Sequence, residues 1–368
     1  MLTMQPTIIC RYIVVCTNLF YMHRIGIDLE KLKYPHNGLY TFCVQLGQRL
    51  LQFKTADEQL LYYLPDTFNN YKGDFKKIPY KWYDRYMFNP PEMDIWHAVH
   101  QNGNVWPRKK AKKTIVTIHD LNFLFEPNKS DREKKSALDA IQKQVDETDH
   151  IVAISEFTLK TIHEHLQIPD NKCSIIYQGS EIKEFTGFDA PAYRPSVPFL
   201  FSIGMILPKK NFHVLPRLLA HNDFELLIAG KTQGDYVKKI EEEAAKLGVS
   251  ARVRMLGSIT DEEKYWYYKN CAAFMFPSVA EGFGAPVVEA MHFGKPVFLS
   301  DRTSLPEIGG DAAYYFKDFD DEYMRGVFEA GMQHYASNQP IEKIKQHAVK
   351  FSWDTNARKY MELYRSLY

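Results

Sequence analysis

The chain has 368 residues, more than a single hydrophobic core usually supports, so its length favours two domains with a ligand cleft between them. A hydrophobic content of 45% and an aromatic content of 14% are ample for packed cores and exclude a disordered protein. The formal net charge of +1 argues against nucleic acid as the main partner, because nucleic-acid-binding proteins usually carry a strongly basic face.

The first 21 residues have no clear place in a fold. Residues 7–20 are apolar but are interrupted by Arg11 and are too short to span a bilayer. They also lack a basic leader and a small-residue cleavage site, which disfavours a secretory signal. We therefore treat residues 1–21 as an N-terminal extension of uncertain structure.

Cysteine usage indicates a reducing compartment. The five cysteines are scattered and form no C-x-x-C pair or Cys/His cluster, so we expect no structural zinc and a cytoplasmic location. They are Cys10, Cys16, Cys43, Cys173 and Cys271.

Short apolar strands alternate with helical patterns in the first half of the chain. The predicted strands are residues 24–28, 59–63, 95–98, 114–118, 151–154 and 173–176, and the predicted helices are about 40–51 and 131–147. Such alternation is typical of a parallel sheet wrapped by helices. We predict a Rossmann-like domain over residues 22–190.

The same pattern restarts after residues 191–198, whose three prolines favour a linker. The predicted strands are residues 199–203, 225–229, 253–256, 273–276, 296–300 and 313–316, with helices at 235–247 and 261–270. This predicts a second Rossmann-like domain over residues 199–345. Residues 341–368 have apolar side chains at helical spacing, and we expect 346–368 to pack back on the first domain. The predicted fold class is α/β, with two domains facing a central cleft.

Two carboxylates flank a glycine-containing loop at residues 281–289. Gly282 and Gly284 would let backbone N–H groups approach an anion at the start of a helix, which suits a diphosphate. Phosphate would repel Glu281 and Glu289, so these acids are better suited to accept hydrogen bonds from sugar hydroxyls. The alternative is a glycine turn before an ordinary buried helix, with both acids solvated.

Other predicted strand ends carry further candidates. His119 ends a strand, where it could donate a hydrogen bond to a substrate hydroxyl or bind a backbone carbonyl. Lys209 and Lys210 follow a strand and could neutralise a leaving diphosphate, or they could form a solvated basic turn. The turn before Gly38 has no G-x-G-x-x-G fingerprint, which disfavours an NAD enzyme.

The combined order of these motifs resembles the retaining, nucleotide-sugar-dependent glycosyltransferases of the GT-B fold, in the group 1 family marked by a Glu-x7-Glu element and including mannosyltransferases. The resemblance extends from about Met22 to the end of the chain. Its landmarks are residues 37–38, 117–121, 151–157, 201–204, 208–210, 227–230, 253–257, 281–289 and 351–353.

The resemblance implies a role for each matching residue. Glu281 would lie beside the donor sugar, His119 would contact that sugar near its anomeric carbon, and Lys210 would balance charge on the departing diphosphate. Glu289 would hold the ribose hydroxyls, and Gly38 would let its loop close over the diphosphate. Residues 282–285 would offer backbone donors to the sugar and diphosphate, and residues 256–258 would offer backbone groups to the nucleobase. The other implied donor-binding residues are Gly204, Lys209, Gly257, Ser258, Gly282, Phe283, Gly284 and Ala285.

One position departs from the family pattern. The family commonly has arginine directly after the glycine at Gly204, whereas this chain has Met205. Loss of one charged donor to a transition-state diphosphate would cost on the order of 2–4 kcal/mol. Either Lys209 or another basic residue such as Arg302 substitutes for the arginine, or the activity is low.

The implied reaction moves a mannose-like or glucose-like hexose from a GDP- or UDP-linked donor to a hydroxyl of a glycan or lipid-linked acceptor, with retention. Bacterial polysaccharide or lipopolysaccharide biosynthesis is the implied setting. We expect no cofactor and no metal. The alternatives are a non-catalytic nucleotide-sugar-binding protein and a sugar-nucleotide epimerase.

The acceptor is expected on the first domain. Residues 71–86 interleave basic and aromatic side chains, and residues 108–113 form a basic run. Such a surface could contact anionic lipids at the inner face of the cytoplasmic membrane, because Trp and Tyr favour the membrane–water interface and basic side chains are attracted to anionic lipids. The alternative is a solvated face with ordinary core aromatics.

Overall fold

The computed structural model describes residues 21–35, 37–126, 129–232 and 234–368. The predictions for residues 1–20, including Cys10 and Cys16, lie outside the described residues. The described chain forms two parallel sheets covered by helices, which confirms the predicted α/β fold class with two Rossmann-like domains.

The first sheet pairs its strands in the order β3-β2-β1-β4-β5-β6-β7. Because the order reverses between β1 and β4, the loops that follow these strands meet at a switch point, where open α/β sheets bind ligands. The strands are β1 (His23–Asp28), β2 (Glu58–Leu64), β3 (Lys76–Pro79), β4 (Met93–Ala98), β5 (Ala111–Ile118), β6 (His150–Ala153) and β7 (Cys173–Ile175). The helices are α1 (Gly38–Phe53), α2 (Asp84–Met87), α3 (Asp131–Asp146) and α4 (Glu156–His165).

The second sheet has the order β10-β9-β8-β11-β12-β13, so its switch point lies between β8 and β11. The strands are β8 (Phe199–Ile203), β9 (Glu225–Ala229), β10 (Val253–Gly257), β11 (Ala273–Phe276), β12 (Val297–Ser300) and β13 (Tyr314–Phe316). The helices are α5 (Tyr236–Lys246), α6 (Asp261–Asn270), α7 (Ala285–His292), α8 (Leu305–Gly309), α9 (Asp321–Asn338), α10 (Ile341–Val349) and α11 (Trp353–Arg365).

The predicted strands are confirmed, with ends that agree within three residues. Strand β3 and helices α2, α8 and α9 were not predicted. The edge strand β3 lies inside the segment interpreted as an aromatic and basic surface, and α9 had no prediction. Helix α9 did have a signal, because Asp320 caps its start and Met324, Phe328 and Gly331 recur on its buried face.

The C-terminal segment forms two helices rather than one, because the Ser352 side chain caps a new helix start at α11. Helix α11 packs against α1 of the first domain. Its Tyr364 hydroxyl lies 2.7 Å from His97 Nδ1, and its Tyr360 hydroxyl lies 3.1 Å from Thr117 Oγ1. Since Thr117 Oγ1 also lies 2.8 Å from His97 Nε2, one buried polar network joins α11 to β4 and β5.

We expect this network to make stability depend on pH. Burial lowers the pKa of His97 from 6.5 to about 3. Between these pH values the unfolded chain binds a proton that the folded chain does not, so stability is lost as the pH falls from 6.5 towards 3. His97→Gln should remove as much as about 4 kcal/mol of this pH-dependent decrease in the free energy of unfolding. Urea unfolding across that pH range measures the change. His221→Gln, at an exposed position, is the control. Equal pH slopes in all three proteins would contradict the assignment.

Candidate functional site

The loops that follow β8, β11 and β12 are tied together at the carboxyl edge of the second sheet. The Lys209 carbonyl oxygen accepts hydrogen bonds from the Val279 N–H at 2.8 Å and from the Ser278 hydroxyl at 3.1 Å. The Ser300 hydroxyl donates in turn to the Ser278 carbonyl oxygen. These bonds cross the switch point and fix the lysine turn against the glycine-containing loop.

Lys210 and Glu281 meet at this switch point. The Lys210 Nζ atom lies 2.5 Å from Glu281 Oε1, and each side chain is only 12% exposed. The Lys210 ammonium also lies 4.8 Å from the centre of the Phe276 ring, and its stem passes over Gly204. The structure therefore joins in one ion pair two residues that the sequence suggested separately.

Glu289 has an ion-pair partner of its own. Its carboxylate contacts Lys264 Nζ at 3.0 Å and accepts a hydrogen bond from the Tyr268 hydroxyl at 2.8 Å. Burial disfavours a charged Lys264, but the nearby carboxylate outweighs burial and raises the pKa of that lysine. Because both Glu281 and Glu289 are paired and largely buried, the alternative of two solvated acids is wrong.

Lys264 was not among the residues predicted from the sequence. Its spacing from Tyr268 could have indicated a shared site, since residues four apart on the predicted helix 261–270 lie on one face.

Helix α7 begins beside the Lys210–Glu281 pair. Gly284 precedes it with a φ of 98°, and a Cβ at this position would lie 2.8 Å from Leu305 Cδ2, so only glycine fits well. The first turn of a helix leaves backbone N–H groups unpaired, and Ala285 supplies one there, whereas Pro286 at the second position supplies none. The Phe283 side chain is buried against Phe351, so only its backbone can face a ligand.

Gly282 brings the two domains into contact. A Cβ at this glycine would lie 2.2 Å from the His119 carbonyl oxygen. The Gly282 carbonyl oxygen accepts a hydrogen bond from the Ser155 hydroxyl at 2.8 Å. Ser155 also caps α4, as predicted, by accepting from the Thr158 N–H at 3.0 Å. The loops after β5 and β6 thus touch the glycine-containing loop of the second domain.

A second interdomain contact supports this junction. The Glu307 carboxylate of α8 accepts hydrogen bonds from the Glu156 N–H at 2.7 Å and the Phe157 N–H at 3.1 Å. An acid at the start of a helix is favourable because unpaired donors and the helix dipole meet there. Glu307 was not predicted from the sequence, although it follows the end of β12 by only a few residues.

His119 lies under the first-domain wall of the cleft. Its Nε2 atom is 2.8 Å from the Val99 carbonyl oxygen, and its ring packs edge-on against Phe42. Burial lowers the pKa of His119 to about 4, so the ring is neutral near pH 7. Since a carbonyl only accepts, Nε2 carries the proton and Nδ1 is an acceptor. Of the two alternatives for His119, the structure therefore shows the hydrogen bond to a backbone carbonyl, and this bond uses the donor of the ring.

The remaining predicted donor-binding residues occupy strand ends and helix starts. Gly257 accepts a hydrogen bond from the Gly230 N–H at 2.7 Å, and Ser258 beside it is exposed. Gly38 is the first residue of α1, whose start Asn37 caps through the Tyr40 N–H. A Cβ at Gly38 would meet no atom within 4 Å, so the fold itself does not require glycine there.

Met205 leaves the Lys210–Glu281 pair without a neighbouring arginine. Its side chain is 42% exposed. The Arg302 guanidinium contacts Asp301 at 3.2 Å and the Lys317 carbonyl oxygen at 3.2 Å, so it is engaged elsewhere. The expectation that Arg302 replaces the missing arginine is not met in this arrangement.

The basic run at residues 108–113 is largely neutralised, because its last residues belong to β5. Lys112 contacts Asp94 at 2.7 Å, and Lys113 contacts Asp149 at 3.0 Å. Lys110 also lies 3.5 Å from Glu92. Within the predicted segment 71–86, exposed aromatic side chains lie on and beside α2, where Trp82 is 72% and Tyr86 60% exposed, next to Met87 at 69%.

A cavity of about 490 Å³ lies beside this surface, away from the Lys210–Glu281 pair. Its walls come from α2, the loop after β4 and the end of α3. Gln101 lines it and also accepts from the His119 N–H at 3.0 Å, while its amide donates to the Asp120 carbonyl oxygen at 2.8 Å. The cavity therefore adjoins the first-domain edge of the cleft. Across the described ranges, no helix is both long and apolar enough to cross a bilayer.

Two family models match consecutive parts of the chain. Residues 59–184 match the model described as Glycosyltransferase Family 4, and residues 188–327 match Glycosyl transferases group 1. The chain is 29% identical over 279 residues to the serotype-specific mannosyltransferase WbdA of Escherichia coli, covering 68% of this chain and 33% of WbdA. It thus spans about a third of the length of the WbdA proteins that it matches.

Two further likenesses extend over nearly the whole chain. The O-antigen chain mannosyltransferase B of Escherichia coli is 22% identical over 390 residues, covering 94% of this chain and 100% of that protein. The crystal structure of Anabaena HepE in complex with UDP-glucose has a TM-score of 0.70 at 15% identity, covering 93% of this chain and 99% of HepE. The latter likeness shows the fold.

Proposed function

Because the chain belongs to the GT-B glycosyltransferases of the group 1 and family 4 type, we propose that it transfers a hexose from a nucleoside-diphosphate sugar to a hydroxyl of a glycan or lipid-linked acceptor. The relation to O-antigen mannosyltransferases supports a mannose-like sugar and a place in bacterial polysaccharide or lipopolysaccharide biosynthesis. A glucose-like sugar is the second candidate, since HepE, a protein of the same fold, was crystallised with UDP-glucose.

The observation that carries this proposal is the Lys210–Glu281 pair at the switch point of the second sheet, next to the start of α7. The diphosphate would lie where Lys210 and the Ala285 N–H at the start of α7 can stabilise its negative charge. The hexose would lie beside Glu281, whose carboxylate can accept from its hydroxyls and stabilise positive charge at the anomeric carbon. His119 Nδ1 would accept from another hydroxyl of the same sugar.

We propose that transfer retains the anomeric configuration by a front-face route. The bond between the anomeric carbon and the diphosphate oxygen breaks as the acceptor oxygen approaches on the same face, and the departing phosphate oxygen takes the acceptor proton. A retaining glycosidase would instead need two carboxylates about 5 Å apart, one of them acting as the nucleophile. Glu289 is bound instead to Lys264 and Tyr268, apart from the Lys210–Glu281 pair, and we propose that it holds the ribose hydroxyls.

Charge neutralisation by Lys210 and the α7 start supports a reaction that needs neither metal nor cofactor. Transfer rates in the presence of EDTA should equal those with added Mg²⁺ or Mn²⁺. A loss of transfer in EDTA that added Mg²⁺ restores would overturn this part of the proposal.

The acceptor is proposed to bind the first domain, in the cavity that Gln101 connects to His119. Its wall combines aromatic Trp106 and Tyr86 with polar side chains such as Asn102, a mixture suited to a glycan. We also propose that the protein works in the cytoplasm at the inner face of the membrane.

The donor can be identified by the stabilisation that each nucleotide sugar gives, because a ligand that binds only the folded state raises the melting temperature. GDP-mannose and UDP-hexoses are the first compounds to test, followed by hexose transfer to glycan acceptors with Glu281→Ala as the control. Donor binding without turnover would favour the non-catalytic binder. Isomerised donor without acceptor would favour the epimerase.

Membrane contact through the α2 surface gives a direct prediction. Trp82→Ser, Tyr86→Ser and Met87→Ser together should lower partitioning onto anionic vesicles about tenfold, because exposed aromatic and apolar side chains anchor proteins at the interface. Cosedimentation measures the partitioning, and Tyr323→Ser on α9 is a matched control at an exposed site. Charge reversal at Lys112 or Lys113 is a poor test, since it would break structural ion pairs. Unchanged partitioning of the triple variant would contradict the proposal.

A further inference from the structure

The turn between β12 and α8 holds the Glu281 backbone on both sides. The Thr303 hydroxyl oxygen accepts a hydrogen bond from the Glu281 N–H at 3.0 Å. The Ser304 hydroxyl lies 3.1 Å from the Glu281 carbonyl oxygen and 3.2 Å from the Phe283 carbonyl oxygen. Ser304 is fully buried, so its hydroxyl depends on these carbonyls for hydrogen bonding. Two adjacent hydroxyls thus hold the peptide groups before and after Glu281.

Thr303 makes its contact from a strained conformation. Its φ is 54°, in the left-handed region that β-branched residues rarely adopt. Glycine would adopt this conformation freely, and asparagine would adopt it more easily than threonine. Strained residues of this kind persist where their surroundings enforce them, and they cluster at functional sites. Glycine at this position would relieve the strain but would remove the hydroxyl that binds Glu281.

The orientation of the Glu281 peptide groups decides where its carboxylate points. That carboxylate must reach Lys210 at 2.5 Å, and the residue that follows it is Gly282, which by itself restricts the backbone little. Hydrogen bonds at the Glu281 N–H and carbonyl therefore supply rigidity that the local sequence lacks. Small displacements of a reacting group cost large factors in rate.

We propose that Thr303 and Ser304 are positioning residues that fix Glu281 against Lys210 for hexosyl transfer, and that Thr303 occupies its strained position for the sake of its hydroxyl. The catalytic part of this proposal rests on the proposed function of Glu281. The contact itself can be tested without turnover.

Three substitutions at Thr303 separate strain from the hydroxyl. Thr303→Gly removes both and should leave the melting temperature equal to or above that of the wild type, while kcat falls about tenfold to hundredfold. Thr303→Val keeps the branched side chain without the hydroxyl, so both kcat and the melting temperature should fall. Thr303→Ser keeps the hydroxyl and should retain most of the wild-type kcat. The donor KM should change much less than kcat in all three variants.

Amide hydrogen exchange at Glu281, measured without substrate, gives an independent reading. Exchange should be about tenfold faster in Thr303→Gly and Thr303→Val than in the wild type or Thr303→Ser. Wild-type kcat together with wild-type exchange in Thr303→Gly would overturn the proposal. If exchange behaves as expected but the wild-type protein transfers no hexose, the clamp on Glu281 stands and the proposed function fails.

Discussion

Lys210→Met is expected to lower kcat for hexose transfer by about a hundredfold to a thousandfold, because it removes a charged donor from the leaving diphosphate. Met205 makes this loss larger, since no arginine stands next to Gly204 to share the charge. The Lys210 side chain is largely buried and paired with Glu281, so its position is fixed before the donor binds. Steady-state transfer rates at saturating donor measure the effect.

The control for this variant is Lys239→Met, which makes the same chemical change at an exposed position on α5. It should leave kcat within about twofold of the wild type, as surface substitutions usually do. Melting temperatures of both variants show whether the loss of the ion pair unfolds the protein. A Lys210→Met enzyme that stays folded and keeps wild-type kcat would contradict the assignment of Lys210 to the diphosphate.

Glu289→Ala should raise the donor KM by about tenfold to a hundredfold, with a smaller effect on kcat. The reason is that hydrogen bonds from ribose hydroxyls to a carboxylate are made in both the ground state and the transition state. The substitution also leaves Lys264 without its partner in a largely buried position. We therefore expect the free energy of unfolding to fall by about 1–3 kcal/mol.

Two further variants separate binding from stability at this site. Lys264→Met with Glu289→Ala removes both partners, so it should recover stability while the donor KM stays high. Glu289→Gln keeps a hydrogen-bond acceptor and the volume of the side chain, so its donor KM should lie between those of the wild type and Glu289→Ala. If the double variant also recovered the wild-type KM, Glu289 would serve the fold rather than the ribose.

The architecture was predictable because alternating strands and helices locate the carboxyl edges of the two sheets. That pattern alone placed Lys210 and Glu281 on loops that follow strands. Their contact was not predictable, since the two residues lie 71 positions apart and meet only because β8 and β11 are neighbours at the switch point. Strand order is a tertiary property that no local pattern records.

The basic run at residues 108–113 shows the opposite case, in which a local pattern misled. Its lysines suggested an anionic partner surface, but β5 places Lys112 and Lys113 beside acids of neighbouring segments. Composition gives the number of charges, while pairing depends on the register of strands that come from elsewhere in the chain. His119 is similar, because the carbonyl of Val99 that fixes its tautomer belongs to the neighbouring β4 loop.

The role of Thr303 could not be predicted from the sequence for another reason. A threonine after a strand is unremarked in sequence, and its left-handed φ and its bond to Glu281 appear only in three dimensions.

The most direct measurement compares donor binding and hexose transfer in the wild type and in Glu281→Gln, using the donor that gives the largest thermal stabilisation. The site described here predicts that both proteins bind the donor with dissociation constants within about threefold, whereas the variant transfers hexose at about 1% of the wild-type rate or less. A wild type that binds the donor without transferring hexose, or a variant that transfers it at the wild-type rate, would contradict the assignment of the Lys210–Glu281 pair as the reacting centre.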